Sequence, residues 1–71
     1  MKFHYYAETD SLYIDFAEGT GVDNIMITDD IVADIDASGR LIGLDVQHAS
    51  KNMNLQQFTL EGIPAFINAA N

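Results

Sequence analysis

Asp34, Asp36, Ser38 and Asp45 come nearest to a recognisable chemistry in this chain. Counted from Asp34, they place side-chain oxygens at positions 1, 3, 5 and 12 of a loop with Gly39 at position 6, the spacing of a calcium-binding EF-hand. A hard cation needs several oxygens converging on one bend. The flanks do not suit that chemistry. An EF-hand loop sits between helices, whereas Ile31-Val32-Ala33-Asp34-Ile35 and Leu41-Ile42-Gly43-Leu44-Asp45-Val46 are β-patterned, and Asp45 is shorter than the usual bidentate Glu. A hairpin turn explains the same residues, so the sequence leads us to expect no bound metal and no cofactor.

The other reactive side chains are scattered. His4 lies among strand aromatics, and His48 beside Ala49-Ser50 could form an acid–base pair if a carboxylate approached it. Ser50 has no nucleophile motif around it, and no nucleophile, base and orienter set can be read from the chain, which weighs against an enzyme. Tyr5, Tyr6 and Tyr13 are candidate partner-binding residues, because tyrosine is enriched at protein interfaces. Strands also favour aromatics for packing reasons alone.

The element that must position most of these residues is a hairpin over Ile31 to Gln47. Asp36-Ala37-Ser38-Gly39 reads as a type I turn closed by a left-handed glycine, with a G1 bulge. This turn sets Asp36 opposite Arg40, Ile35 opposite Leu41, Asp34 opposite Ile42, Ala33 opposite Gly43 and Val32 opposite Leu44. One face then carries Val32, Ile42, Leu44 and Val46, with Asp34, Asp36 and Arg40 near the turn. The other carries Ile31, Ala33, Ile35 and Leu41, with Asp45 and Gln47 at its far end. Both faces are apolar, so something should cover each.

Before the hairpin, Lys2 to Ala7 and the alternating Ser11 to Ala17 read as two strands joined by Glu8-Thr9-Asp10, and Asp23 to Thr28 reads as a third. Glu18-Gly19-Thr20-Gly21 between them lacks the spacing of a phosphate-binding loop. The expected sheet is a meander in which sequence neighbours pair. After it, Ser50 is placed as the N-cap of a helical turn over Lys51 to Asn54. Glu61 to Ala70 reads as a short helix with Pro64 in its first turn and an apolar stripe of Ile63, Phe66, Ile67 and Ala70.

Composition bounds the function. The 71 residues suit a single domain, with a β-meander over residues 1–48 and a helical extension over residues 49–71. Eleven acids against three bases give a net charge of −8, which argues against nucleic acid and anionic membrane; it serves the solubility of a small apolar-rich domain first, and otherwise steers a basic protein partner. The chain has no cysteine, no apolar run near the roughly 18 residues of a membrane span, and no apolar signal core after Met1, so the expected location is cytoplasmic.

Tyr5-Tyr6, Asp10-Ser11-Leu12-Tyr13-Ile14 and the run from Asp34 to Gly43, a D-x-D-x-x-G-R-x-x-G hairpin, resemble the small bacterial domain-of-unknown-function 2283 family over about Lys2 to Ser50. The chain departs from it at Leu44-Asp45-Val46-Gln47, where the family often has an Ile-Glu-Ile-Leu-like strand, and in its C-terminal extension. The resemblance implies no catalytic residues. It does imply protein binding, since some members look like the smaller partner of toxin–antitoxin-like gene pairs.

The sequence thus leads to an α+β fold, a five-stranded antiparallel meander with a short C-terminal helix packed on one face. The leading function is a small acidic, non-catalytic protein-interaction module, antitoxin-like in one form. The alternatives are a metal-binding module on the Asp34 to Asp45 loop and a small enzyme with its site between subunits. One short helix cannot cover two apolar faces. A homo-oligomer is therefore expected, with Ile31, Ala33, Ile35, Leu41, Phe66 and Ile67 at its interface.

Overall fold

The computed structural model describes residues 1–63 and shows an α+β fold built on one antiparallel sheet. Its strands are β1 (Lys2–Tyr6), β2 (Ser11–Asp15), β3 (Asp23–Met26), β4 (Ile31–Ile35) and β5 (Leu41–Val46), followed by the single-turn helix α1 (Ala49–Asn52). The order across the sheet is β1-β2-β5-β4-β3. All five strands and their antiparallel sense agree with the sequence reading, but the meander does not. β5 enters between β2 and β4, so β2 to β5 form a Greek key in which β2 lies beside the last strand of the β3-β4-β5 run. Residues 16–22 carry the chain from β2 to the far edge. Phe16 and Ala17 donate backbone N–H bonds to the Ile42 carbonyl, and Val22 donates to that of Ile35.

The turn between β4 and β5 forms as the sequence predicts. The Gly39 N–H donates to the Asp36 carbonyl, Asp36 N–H to that of Arg40, and Gly39 has φ 85. Asp36 Oδ1 also accepts from the backbone N–H groups of Ser38 and Arg40, each at 2.9 Å. The register beyond the turn differs from the reading. Ile35 faces Leu41, but Asp34 then faces Gly43, Ala33 faces Leu44 and Ile31 faces Val46, because Ile42 is an extra residue in β5. Ile42 is buried where residues 16–22 cross over the strand, with its side-chain methyls 3.5–3.6 Å from the places where a Cβ on Gly19 or Gly21 would stand.

That one-residue bulge moves every later side chain of β5 to the opposite face. Leu44 and Val46 therefore join Ile31, Ala33 and Ile35, and the pairing with β2, β1 and β3 brings Leu12, Ile14, Phe3, Tyr5 and Ile25 to the same side. The opposite side carries Lys2, His4, Tyr6, Ser11, Tyr13, Asp15, Asn24, Met26, Val32, Asp34, Gly43 and Asp45. The expectation of two apolar faces is thus corrected: the sheet has one apolar and one largely polar face.

The buried core sits on the β1-β2-β5 half of the apolar face, where Leu12, Ile14, Val46 and Ala49 form one cluster against Phe16, Ile31, Leu44 and Met53. Beyond α1 the chain lies along this half, with Phe58 edge-on to Phe3 at 5.0 Å between ring centres. Ile25 on β3, Ile27 just after it and Leu41 at the start of β5 remain exposed. The helix expected over Glu61 to Ala70 falls mostly outside the described residues, and residues 61–63 are irregular. Among the described residues no helix is long and apolar enough to cross a membrane.

Candidate functional site

Two polar constellations emerge. The first is centred on Tyr13, which faces Asp45 on β5 and His4 on β1. Its ring extends across Gly43 and its hydroxyl donates to Asp34 Oδ2 at 2.8 Å, while Asn24 Nδ2 donates to the other Asp34 oxygen at 2.7 Å. Only a glycine at position 43 leaves room for the ring. A Cβ there would overlap the hydroxyl oxygen and stand 2.6 Å from Cζ. The hydrogen bond to Asp34, partial burial and the negative charges of Asp34, Asp15 and Asp45 push the Tyr13 hydroxyl up to about 12, so the phenol stays neutral. Asp45 is held in turn by Gln47 Nε2 at 3.0 Å, and Ser11 Oγ donates to Gln47 Oε1 at 3.3 Å. His4 stacks at a tilt on Tyr6, 4.3 Å between ring centres, on the same face.

Three aspartates therefore surround one tyrosine, on a strand face that also carries Lys2. Among the described residues the close contacts between basic and acidic side chains are Arg40 with Asp36 and His48 with Asp30, and neither reaches Asp15, Asp34 or Asp45. Lys2 stands opposite Asp15 in register without closing an ion pair.

The second constellation is a clasp at the other end of the sheet. Asp10, in the β1-β2 turn with φ 53, accepts the Ser50 hydroxyl at 2.7 Å, the Ser50 N–H at 3.2 Å and the Tyr5 hydroxyl at 2.8 Å. Its own carbonyl accepts the Ala49 N–H. Asp30, in the β3-β4 turn, lies 3.1 Å from His48 Nδ1, accepts Asn52 Nδ2 at 3.1 Å, and takes the Gln47 N–H on its carbonyl. Two turns distant in sequence thus fix the entry to α1. His48 sits before the helix in a left-handed conformation with no side-chain cap of its own, and Asp10 supplies the cap from outside. Ser50 is therefore not the N-cap the sequence suggested. It lies inside a helix that begins at Ala49, and its hydroxyl is donated to Asp10.

These bonds hold both clasp carboxyls below the usual carboxylate range. For Asp10 the Ser50 and Tyr5 hydroxyls contribute most, and for Asp30 the Asn52 amide and His48 do. A depressed folded value means the stabilisation is complete above the ordinary value of 3.8 and is lost as pH falls through the lower folded value. Amide exchange of Ala49 and Ser50 is therefore expected to speed up relative to the sheet between pH 5 and pH 2. Asp10→Asn with Asp30→Asn should flatten that dependence; an unchanged profile in the double variant would show that the clasp does not govern it.

The structure separates most of the residues that the sequence grouped. Asp34 bonds to Tyr13 and Asn24, Asp36 and Ser38 are tied into the turn by a 2.8 Å side-chain bond, and Asp45 bonds to Gln47. Among the described residues no three His, Cys, Asp or Glu side chains are grouped to hold a metal. Tyr6 and Tyr13 share the polar face, whereas Tyr5 belongs to the apolar face and reaches the clasp. Ile31, Ala33, Ile35 and Leu41 do share one face, with Ala33 already buried, while Phe66 and Ile67 lie outside the described residues. Sequence reasoning missed Asp10, Asp30 and the use of Gly43. The signal for Gly43 is a glycine inside a strand pattern, which marks a close approach.

An amphipathic Greek-key sheet with an acid-ringed tyrosine and a clasped single-turn helix defines a small α+β domain. The chain belongs to the family described as Protein of unknown function (DUF2283), whose model matches residues 2–50. No curated protein matches it, and no solved structure does. The motif residues that carried the resemblance acquire physical roles: Asp10 makes the clasp, Tyr13, Asp34 and Gly43 make the polar-face contact, and Asp36 and Gly39 make the turn.

Proposed function

We propose that this chain is a small, acidic, non-catalytic protein-interaction module of the cytoplasm, which receives a basic segment of a partner protein on its polar sheet face. The observation that carries this reading is Tyr13 laid across Gly43 and ringed by Asp15, Asp34 and Asp45, with no cation paired to these three among the described residues. A Lys or Arg side chain over the Tyr13 ring would gain a cation–π contact and carboxylate partners together. Tyr6 and His4 extend the same surface. The net charge of −8 would steer such a partner from a distance. An antitoxin-like role would be one instance of this binding.

Partners captured from the source cell and identified by mass spectrometry should carry a basic segment. Their on-rate should fall several-fold as salt shortens the screening length from about 10 Å at 0.1 M to about 3 Å at 1 M. Asp15→Asn with Asp45→Asn should slow association similarly while leaving the fold intact, because neither carboxylate holds Tyr13 in place. A partner indifferent both to salt and to these changes would refute the reading.

Self-association is a second reading, favoured by the apolar surface around β4, where Ile25, Ile27 and, at the start of β5, Leu41 are 46%, 58% and 46% exposed beside half-buried Ile31 and Ile35. A sheet normally buries its apolar face against a second layer. Sedimentation at micromolar concentration should then show a dimer, and Ile25→Asp a folded monomer. A monomeric parent chain would remove this reading and leave the first untouched.

A further inference from the structure

We draw no further inference here: the strongest candidate, the apolar cleft between the β1-β2 half of the sheet and residues 53–58, lined by Phe3, Leu12, Ile14, Met53 and Phe58, carries nothing because nothing in the structure shows what occupies it.

Discussion

Gly43→Ala is expected to lower stability by about 2–4 kcal/mol, a large effect for one methyl group on a sheet. The backbone at Gly43 does not demand glycine for its own conformation, since its φ is not in the left-handed region. In an ordinary strand position the substitution would help by roughly 0.5–1 kcal/mol, because alanine loses less backbone entropy. Here the new Cβ would collide with the Tyr13 ring and stand 3.1 Å from the Ile14 carbonyl oxygen, which is backbone and cannot swing aside. The ring must leave, breaking the 2.8 Å bond to Asp34. The cost should therefore depend on Tyr13. In a Tyr13→Ala background, Gly43→Ala should cost only about 1 kcal/mol, left by the Ile14 carbonyl contact, giving a coupling energy of roughly 1–3 kcal/mol in a double-mutant cycle. Chemical denaturation of the four proteins measures it. Additive effects would mean that the ring does not lie over Gly43.

Leu12→Ala is expected to cost roughly 2–5 kcal/mol, out of a total of about 4–10 kcal/mol for a chain of 71 residues. Leu12 is 6% exposed, faces Tyr5 and Val46 across its two neighbouring strands, and belongs to the cluster that includes Ala49 of the helix. Truncating it leaves a cavity that the paired strands on either side cannot close. Met26→Ala provides the contrast. Met26 is on the opposite face of an edge strand and 69% exposed, so its loss should stay within about 0.5 kcal/mol. Thermal or urea unfolding decides between them. Equal costs for the two would place the core elsewhere.

Local rules made several features legible. The five strand segments, the Asp36-Ala37-Ser38-Gly39 turn with its left-handed glycine and the α+β class follow from alternation and turn chemistry, which act over a few neighbouring residues. The family pattern over residues 2–50 was legible for the same reason, since its motif residues build local turns and strands.

What the sequence could not decide were matters of pairing. Nothing local tells β2 to pair with β5 rather than β3, because both choices satisfy the same backbone groups and the difference lies in burying Leu12 and Ile14 beside Leu44 and Val46. The Ile42 bulge is likewise set from outside the hairpin, where residues 16–22 cross over and bury that side chain. Its consequence reaches furthest: a shift of one residue exchanges the two faces of a strand and turns two apparently apolar faces into one apolar and one polar. The same holds for the candidate site. Asp34 reads as a metal ligand by spacing and Gly43 as the last glycine of the hairpin pattern, yet the tertiary structure makes them the two supports of Tyr13, some 20 to 30 residues away in the chain. Elements and turns depend on near neighbours and can be read along the chain; the strand order, the two faces and the surroundings of Tyr13 depend on contacts between residues far apart, which exist only once the sheet has assembled.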